Sequence, residues 1–181
     1  MPDIEATKTR RRLAAIQSAD VAGYARLVGA NEEVTVARLT AMRRELIEPL
    51  IAGHGGRLFK TMGDGFLMEF DSAVEAVRCA VAIQRDVSLR EADRPPEDRI
   101  AFRIGLHLGD VIAEGDDLLG DGVNIAARLQ AIAGPGDILI SRTIHDQLGE
   151  RLDQRLESLG ERSFKNIARP IEVWRLARDT A

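Results

Sequence analysis

Residues 57–70 constrain the fold more than any other stretch. Arg57-Leu58-Phe59-Lys60-Thr61 and Phe66-Leu67-Met68-Glu69-Phe70 are two strand-like runs separated only by Met62-Gly63-Asp64-Gly65. So short a glycine-rich link leaves no room for a crossover, so the two strands must lie antiparallel as a β-hairpin. Every helix of the chain then has to be accommodated on a sheet built around that hairpin.

The remaining pattern interleaves helices with further strands. Residues 13–16 read as a short buried strand that runs out at Ser18-Ala19-Asp20, with a turn at Asp20 before Gly23. Asn31, followed by Glu32 and Glu33, reads as the N-cap of a long amphipathic helix that reaches Gly53 and bends at Pro49. Ser72 with Glu75 is a capping-box signature for a second helix through Ala76, Ala80 and Ile83. A strand pair over 100–106 and 111–113 follows, then a loop over 114–122 and a helix over 123–133 that stops at Gly134-Pro135-Gly136. A strand over 138–140, a helix from Ser141 and two or three strands ending at Leu176 close the chain. This pattern predicts an α+β fold, a ferredoxin-like sandwich with a mostly antiparallel central sheet and helices packed on one side of it. One domain is expected over residues 11–176, with tails over 1–10 and 177–181.

Composition narrows the function. With 181 residues, 45% of them apolar, the chain can bury one core of ordinary size. A net charge of −4 and 4% aromatic residues offer neither the positive field nor the stacking surfaces that nucleic acid needs. A small phosphorylated ligand stays possible, because it needs only a few local donors and a cation. No apolar signal core is visible near the N-terminus, and the densest apolar stretch, around 76–83, is interrupted by Arg78, short of the ~20 residues of a membrane span. A soluble, cytoplasmic protein is expected. Cys79, the single cysteine, permits no intrachain disulfide and reads as a buried, inert thiol.

Three groups of residues are candidates for chemistry. If the strands carrying Asp20 and Asp64 are neighbours, two carboxylates meet at one sheet edge, a hard-cation site needing no histidine; singly, each has an ordinary structural explanation. Asn124 and Arg128, four apart on a helix, present an amide and a guanidinium on one face, suited to a ribose and to phosphoryl oxygens, although for the two taken alone a solvated helix face is the commoner explanation. The chain has 22 arginines and three lysines, at positions 8, 60 and 165, so Lys60 and Lys165 stand out as places where arginine was not used. His54, His107 and His145 are scattered and carry no catalytic expectation.

The runs Ser18-Ala19-Asp20-Val21-Ala22-Gly23-Tyr24, Lys60-Thr61-Met62-Gly63-Asp64-Gly65, Arg103-Ile104-Gly105-Leu106-His107-Leu108-Gly109, Gly120-Asp121-Gly122-Val123-Asn124-Ile125-Ala126-Ala127-Arg128-Leu129 and Phe164-Lys165-Asn166-Ile167 resemble, in order and spacing, the class III adenylate and guanylate cyclase catalytic domain. Each run alone is weak, but five in one order cover nearly the whole chain.

The resemblance implies an adenylate cyclase that converts ATP to 3′,5′-cyclic AMP and pyrophosphate. Asp20, Asp64 and the carbonyl of Val21 would hold two Mg²⁺ or Mn²⁺ ions per active site. The loop carrying Gly23 and Tyr24 would offer N–H groups to phosphate. Asn124 would orient the ribose, Arg128 would stabilise charge on the α-phosphate, and Lys165 would neutralise the terminal phosphates. Lys60 and Asp117 align with the family's purine-reading pair. Their ammonium and carboxylate match the N1 acceptor and N6 donor of adenine, whereas guanine presents the reverse polarity. The resemblance further implies a homodimer in which one subunit supplies the metal carboxylates and the other supplies Lys60, Asp117, Asn124 and Arg128, with a regulatory domain possible on a longer native chain. Two departures stand out: Asp110 where some relatives carry a phosphate-binding arginine, and Asn166 where glycine is common. The alternatives are a guanylate cyclase, or a silent cyclase-fold module that dimerises or senses nucleotide. A diguanylate cyclase or polymerase palm fits less well, because the Gly-Gly-Asp-Glu-Phe type of turn is absent.

Overall fold

The computed structural model describes residues 9–178. Lys8 and most of both expected tails lie outside the described residues. The elements run β1 (Arg10–Val21), α1 (Tyr24–Ala30), α2 (Glu32–Met42), α3 (Glu48–Gly53), β2 (Gly56–Met62), β3 (Gly65–Phe70), α4 (Ala73–Arg90), β4 (Phe102–Glu114), β5 (Asp117–Leu119), α5 (Asp121–Ile132), β6 (Ile138–Ser141), α6 (Arg142–Leu148), β7 (Leu156–Arg162) and β8 (Ile171–Leu176).

The strands form one sheet in the order β2-β3-β1-β4-β6-β8-β7, with β5 paired to β4. β2, β3, β1 and β4 make the expected ferredoxin-like unit, all three pairings antiparallel. β6 joins β4 in parallel, and β8 and β7 extend the sheet antiparallel. Met62 pairs with Gly65 across the hairpin turn, and Gly63 takes φ 59 at its first central position.

Several expectations about the elements need correction. β1 is twelve residues long and continues through Asp20 to Val21, because its whole length pairs with β4 from Arg10↔Ala113 to Val21↔Phe102. The expected strand pair over 100–106 and 111–113 is one thirteen-residue strand, β4, for the same reason. The expected loop over 114–122 contains β5, folded back on β4 by a turn at Gly115-Asp116. The short helix α1 went unread. Asn31 does cap α2, its side chain accepting from the N–H of Val34. The irregularity ascribed to Pro49 lies one turn earlier, in a π-helical turn over Arg43–Ile47, because proline disturbs the carbonyl four residues before it.

Helices also cover both faces of the sheet rather than one. Alternation along β1 sends Ala15 and Ala19 into the main core with α4, through Ala76, Val77, Ala80 and Ile83, and sends Ala14 and Ile16 to the opposite face with Ala126 of α5. α5 lies so close to β4 that a Cβ on Gly105 would stand 2.4 Å from the amide nitrogen of Gln130 and 2.5 Å from the carbonyl oxygen of Ala126. Glycine is therefore required at 105 for the helix carrying Asn124 and Arg128 to seat on the sheet.

Candidate active site

Asp20 is the penultimate residue of β1 and Asp64 occupies the β2–β3 turn. Asp64 Oδ2 accepts from the N–H of Val21 at 3.0 Å, tying the hairpin turn to the end of β1, so Asp20, Val21 and Asp64 come together. Asp20 is half-buried and paired: Arg103, its partner across β1 and β4, donates from Nε and Nη2 to its two carboxylate oxygens at 2.8 and 2.6 Å. That bonding, with the added attraction of Asp64, holds the Arg103 pKa above its ordinary value. Arg103 stood in a motif without a role, and its register opposite Asp20 becomes visible only once the strands are paired.

Two carboxylates and a backbone carbonyl are hard oxygen donors, the set that Mg²⁺ or Mn²⁺ takes, and a guanidinium stands on Asp20 in a cation's place. The residues fit such an ion, provided Arg103 releases Asp20. Among the described residues no group of three or more Asp, Glu, His or Cys converges on a metal position, so a cation here would complete its shell from substrate and water.

In the loop after β1, the N–H of Val21 is committed to Asp64 and that of Ala22 to the carbonyl of Ala101 at 2.8 Å. The N–H groups of Gly23 and Tyr24 have no acceptor among the described residues. Gly23 has φ 64, and the Arg26 guanidinium packs on it, 3.6 Å from where a Cβ would stand. The Tyr24 ring packs on the main core, so Tyr24 offers its backbone to this loop. A cavity of about 610 Å³ backs onto Ala22 and Gly23, but it holds none of the candidate carboxylates, Lys60 or Arg128.

Lys60 and Asp117 meet, Nζ to Oδ2, at 3.2 Å. A β-bulge makes this possible. Arg57 pairs with Glu69, Leu58 with Met68, and Lys60 with Leu67, leaving Phe59 extra. Strict alternation would send Lys60 to the face opposite Arg57, and the one-residue bulge returns both to the same face. Asp117 fixes its other oxygen on the N–H of Leu118 at 2.8 Å.

Asn124, Arg128 and Lys165 line one cavity of about 290 Å³. Neither cation has an acidic partner among the described residues, so two positive charges face a shared space. Asn166, beside Lys165, has φ 66, the only positive φ at a non-glycine among the described residues. Asparagine tolerates this conformation, so the loop keeps the shape a glycine would give it. Asp110 is exposed opposite Leu13 in the β1–β4 ladder and adds no positive charge.

The histidines stand apart from these groups. His54 contacts Glu75 at 2.9 Å, His107 is buried against Ser141 at 2.7 Å, and His145 stacks on Trp174 with ring centroids 4.2 Å apart. Cys79 is fully buried, which pushes its thiol pKa up to about 12 and leaves it inert as expected. Among the described residues no helix is long and apolar enough to cross a membrane.

Comparison with known proteins places the chain in a family. Residues 7–177 match the model of the "Adenylate and Guanylate cyclase catalytic domain" family. A Rhizobium meliloti (strain 1021) protein under the provisional name adenylate cyclase 3 is 47% identical over 165 residues, 91% of this chain and 28% of its own length. An adenylate cyclase of Streptomyces coelicolor is 33% identical over 138 residues, 76% of this chain and 34% of its own length. The chain thus spans about a third or less of these relatives. The crystal structure of an adenylate/guanylate cyclase/hydrolase from Silicibacter pomeroyi superposes with a TM-score of 0.87 at 46% identity, covering 94% of this chain and 99% of that one. The adenylyl cyclase CyaB of P. aeruginosa shares the fold, with a TM-score of 0.83 at 21% identity over 94% of this chain and 96% of that one. A sheet edge with two carboxylates, a lysine–aspartate pair and a helix bearing Asn124 and Arg128 thus sit in a chain that belongs to the adenylate and guanylate cyclase catalytic domain family.

Proposed function

We propose that the chain converts ATP to 3′,5′-cyclic AMP and pyrophosphate at sites shared across a homodimer. The observation that carries the choice of ATP is the Lys60–Asp117 contact at 3.2 Å, which presents a donor and an acceptor side by side. Adenine offers an acceptor at N1 and a donor at N6. Guanine would set donor against donor and acceptor against acceptor, costing about 1 to 3 kcal/mol per unsatisfied group.

In this reading Asn124 orients the ribose and Arg128 meets the charge that develops on the α-phosphate. Lys165, on the same cavity, neutralises the terminal phosphates, and the free N–H groups of Gly23 and Tyr24 bind the triphosphate. Two Mg²⁺ or Mn²⁺ ions held by Asp20, Asp64 and the Val21 carbonyl would supply activation of the 3′-hydroxyl and a grip on the triphosphate. Most of the rate then comes from positioning and fixed charge.

A shared site fits the exposed apolar side chains beside these groups. Met62, Leu119 and Ile132 are 55%, 42% and 48% exposed, two residues before Asp64, two after Asp117 and one turn after Arg128. A two-fold contact over these side chains would bring the carboxylates of one subunit to the Asn124–Arg128 face of its partner. The relatives' greater length suits a cytoplasmic catalytic unit attached to regulatory segments.

The test incubates purified protein with Mg²⁺ or Mn²⁺ and either ATP or GTP and identifies the product by mass. Cyclic AMP is expected. Cyclic GMP overturns the base assignment, and no cyclic product from either nucleotide favours the silent module.

A further inference from the structure

Arg57 touches the residue before each member of the Lys60–Asp117 pair. Its guanidinium carbon lies 5.8 Å from the ring centroid of Phe59, the bulged residue preceding Lys60. Its Nη1 donates to the carbonyl of Asp116, which precedes Asp117 in the β4–β5 turn, at 2.9 Å. The same guanidinium donates from Nε to Glu69 Oε1 at 2.7 Å, and Arg12 donates to the other Glu69 oxygen. Glu69 is thereby anchored from both sides, its side chain 12% exposed, and the two guanidiniums outweigh the cost of burial to hold its pKa below the ordinary carboxylate value.

Lys60 and Asp117 lie on elements that are distant in the sheet order. β2 is separated from β4 by β3 and β1, and β5 hangs from β4 outside that path. No backbone ladder therefore fixes the spacing of the two side chains, which are 40% and 38% exposed. An exposed ion pair alone holds geometry weakly, at about 0 to 1 kcal/mol. Arg57 spans this gap: its own side chain is 42% exposed, but it is bonded to the mostly buried Glu69 and reaches Phe59 and the Asp116 carbonyl as well, three contacts where the ion pair has one.

We propose that Arg57, held by Glu69 and Arg12, is a positioning residue for base selection: it sets the separation of Lys60 and Asp117 by bracing Phe59 on one side and Asp116 on the other. This inference rests on reading Lys60 and Asp117 as the pair that contacts the purine. A fixed separation matters because discrimination between adenine and guanine requires both groups to address the base edge together. If the spacing relaxes, each group can follow the base, and the mismatched base loses its penalty.

The test measures kcat and KM for ATP and GTP, inhibition by inorganic tripolyphosphate, and thermal stability, in wild type, Arg57→Gln, Arg57→Lys, Lys60→Ala and Asp117→Ala. Arg57→Gln should raise KM for ATP and lower the ATP-over-GTP preference about tenfold, with kcat for ATP and tripolyphosphate inhibition within about twofold of wild type. Arg57→Lys keeps the charge but cannot bridge Glu69 and the Asp116 carbonyl together, so it should show the same loss of preference. Equal loss for both nucleotides, or a fall in kcat at constant KM, overturns the proposal and leaves Arg57 a structural clamp. So does an unchanged preference in a folded Arg57→Lys protein while Lys60→Ala and Asp117→Ala shift it. If Lys60→Ala and Asp117→Ala also leave the preference unchanged, the reading of the pair fails, and this inference with it.

Discussion

Arg103 grips both carboxylate oxygens of Asp20, at 2.8 and 2.6 Å, across the β1–β4 ladder. A bidentate guanidinium is a strong competitor for a carboxylate, and here it holds the group that a catalytic cation would need. Arg103→Gln should therefore bind Mn²⁺ more tightly than wild type when no nucleotide is present, by about tenfold if one charge-assisted hydrogen bond no longer has to be broken. Titration followed by the Mn²⁺ electron-resonance signal reads this directly. Equal affinity in the two proteins would mean that the ion does not need the oxygens Arg103 covers.

The proposed sharing of each site between two subunits makes a second prediction. Asp20→Ala removes a carboxylate, whereas Arg128→Ala removes a cation on α5, and each should lower activity by about 10² to 10³ on the scale of lost electrostatic stabilisation. If each site draws on both subunits, equal mixing produces heterodimers with one intact site, and activity should return to about a quarter of wild type. A mixture that stays inactive, although both proteins fold and exchange subunits, would place the whole site within one chain.

How far the site could be read from residues alone depends on whether its parts are local. The hairpin turn with Asp64, the Asn31 and Ser72 caps and the face shared by Asn124 and Arg128 are set by neighbours within four positions, and all were legible. β4 read as two strands because Gly109-Asp110 looks like a turn until β1 is laid beside it. The hold of Arg103 on Asp20, which spans 83 positions, and the reach of Arg57 to the Asp116 carbonyl, which spans 59, depend on register and left no local trace. The convergence of Asp20 with Asp64 was conditional on their strands being neighbours, and the direct β1–β3 pairing supplies that condition.

His107 should make stability depend on pH. Burial lowers its pKa from 6.5 to about 4, so the folded chain keeps the ring neutral where the unfolded chain protonates it. Between those values the unfolded state binds more protons, and stability must fall as the pH falls. The contribution is complete above about 6.5, declines through the window below it, and levels off beneath about 4. From pH 8 to pH 5 the loss from this group comes to about 2 kcal/mol. Denaturant unfolding at the two pH values, compared with His107→Gln, isolates it. An identical pH slope in the variant would show that His107 is not responsible.

Gln17 offers the opposite case, a polar group whose removal should strengthen the fold. It lies in β1 between Met68 and Leu106, fully buried, and neither amide atom has a hydrogen-bond partner among the described residues. An unsatisfied buried amide costs about 1 to 3 kcal/mol, whereas methionine fills a similar volume without that cost. Gln17→Met should therefore raise Tm by several degrees, given the 2–4 °C per kcal/mol typical of a domain of roughly this size. Activity should be unchanged, because residues alternate along β1 and Gln17 points to the α4 face while Asp20 points to the face of α5. A fall in Tm would mean that the amide is bonded in solution and that β1 relies on it.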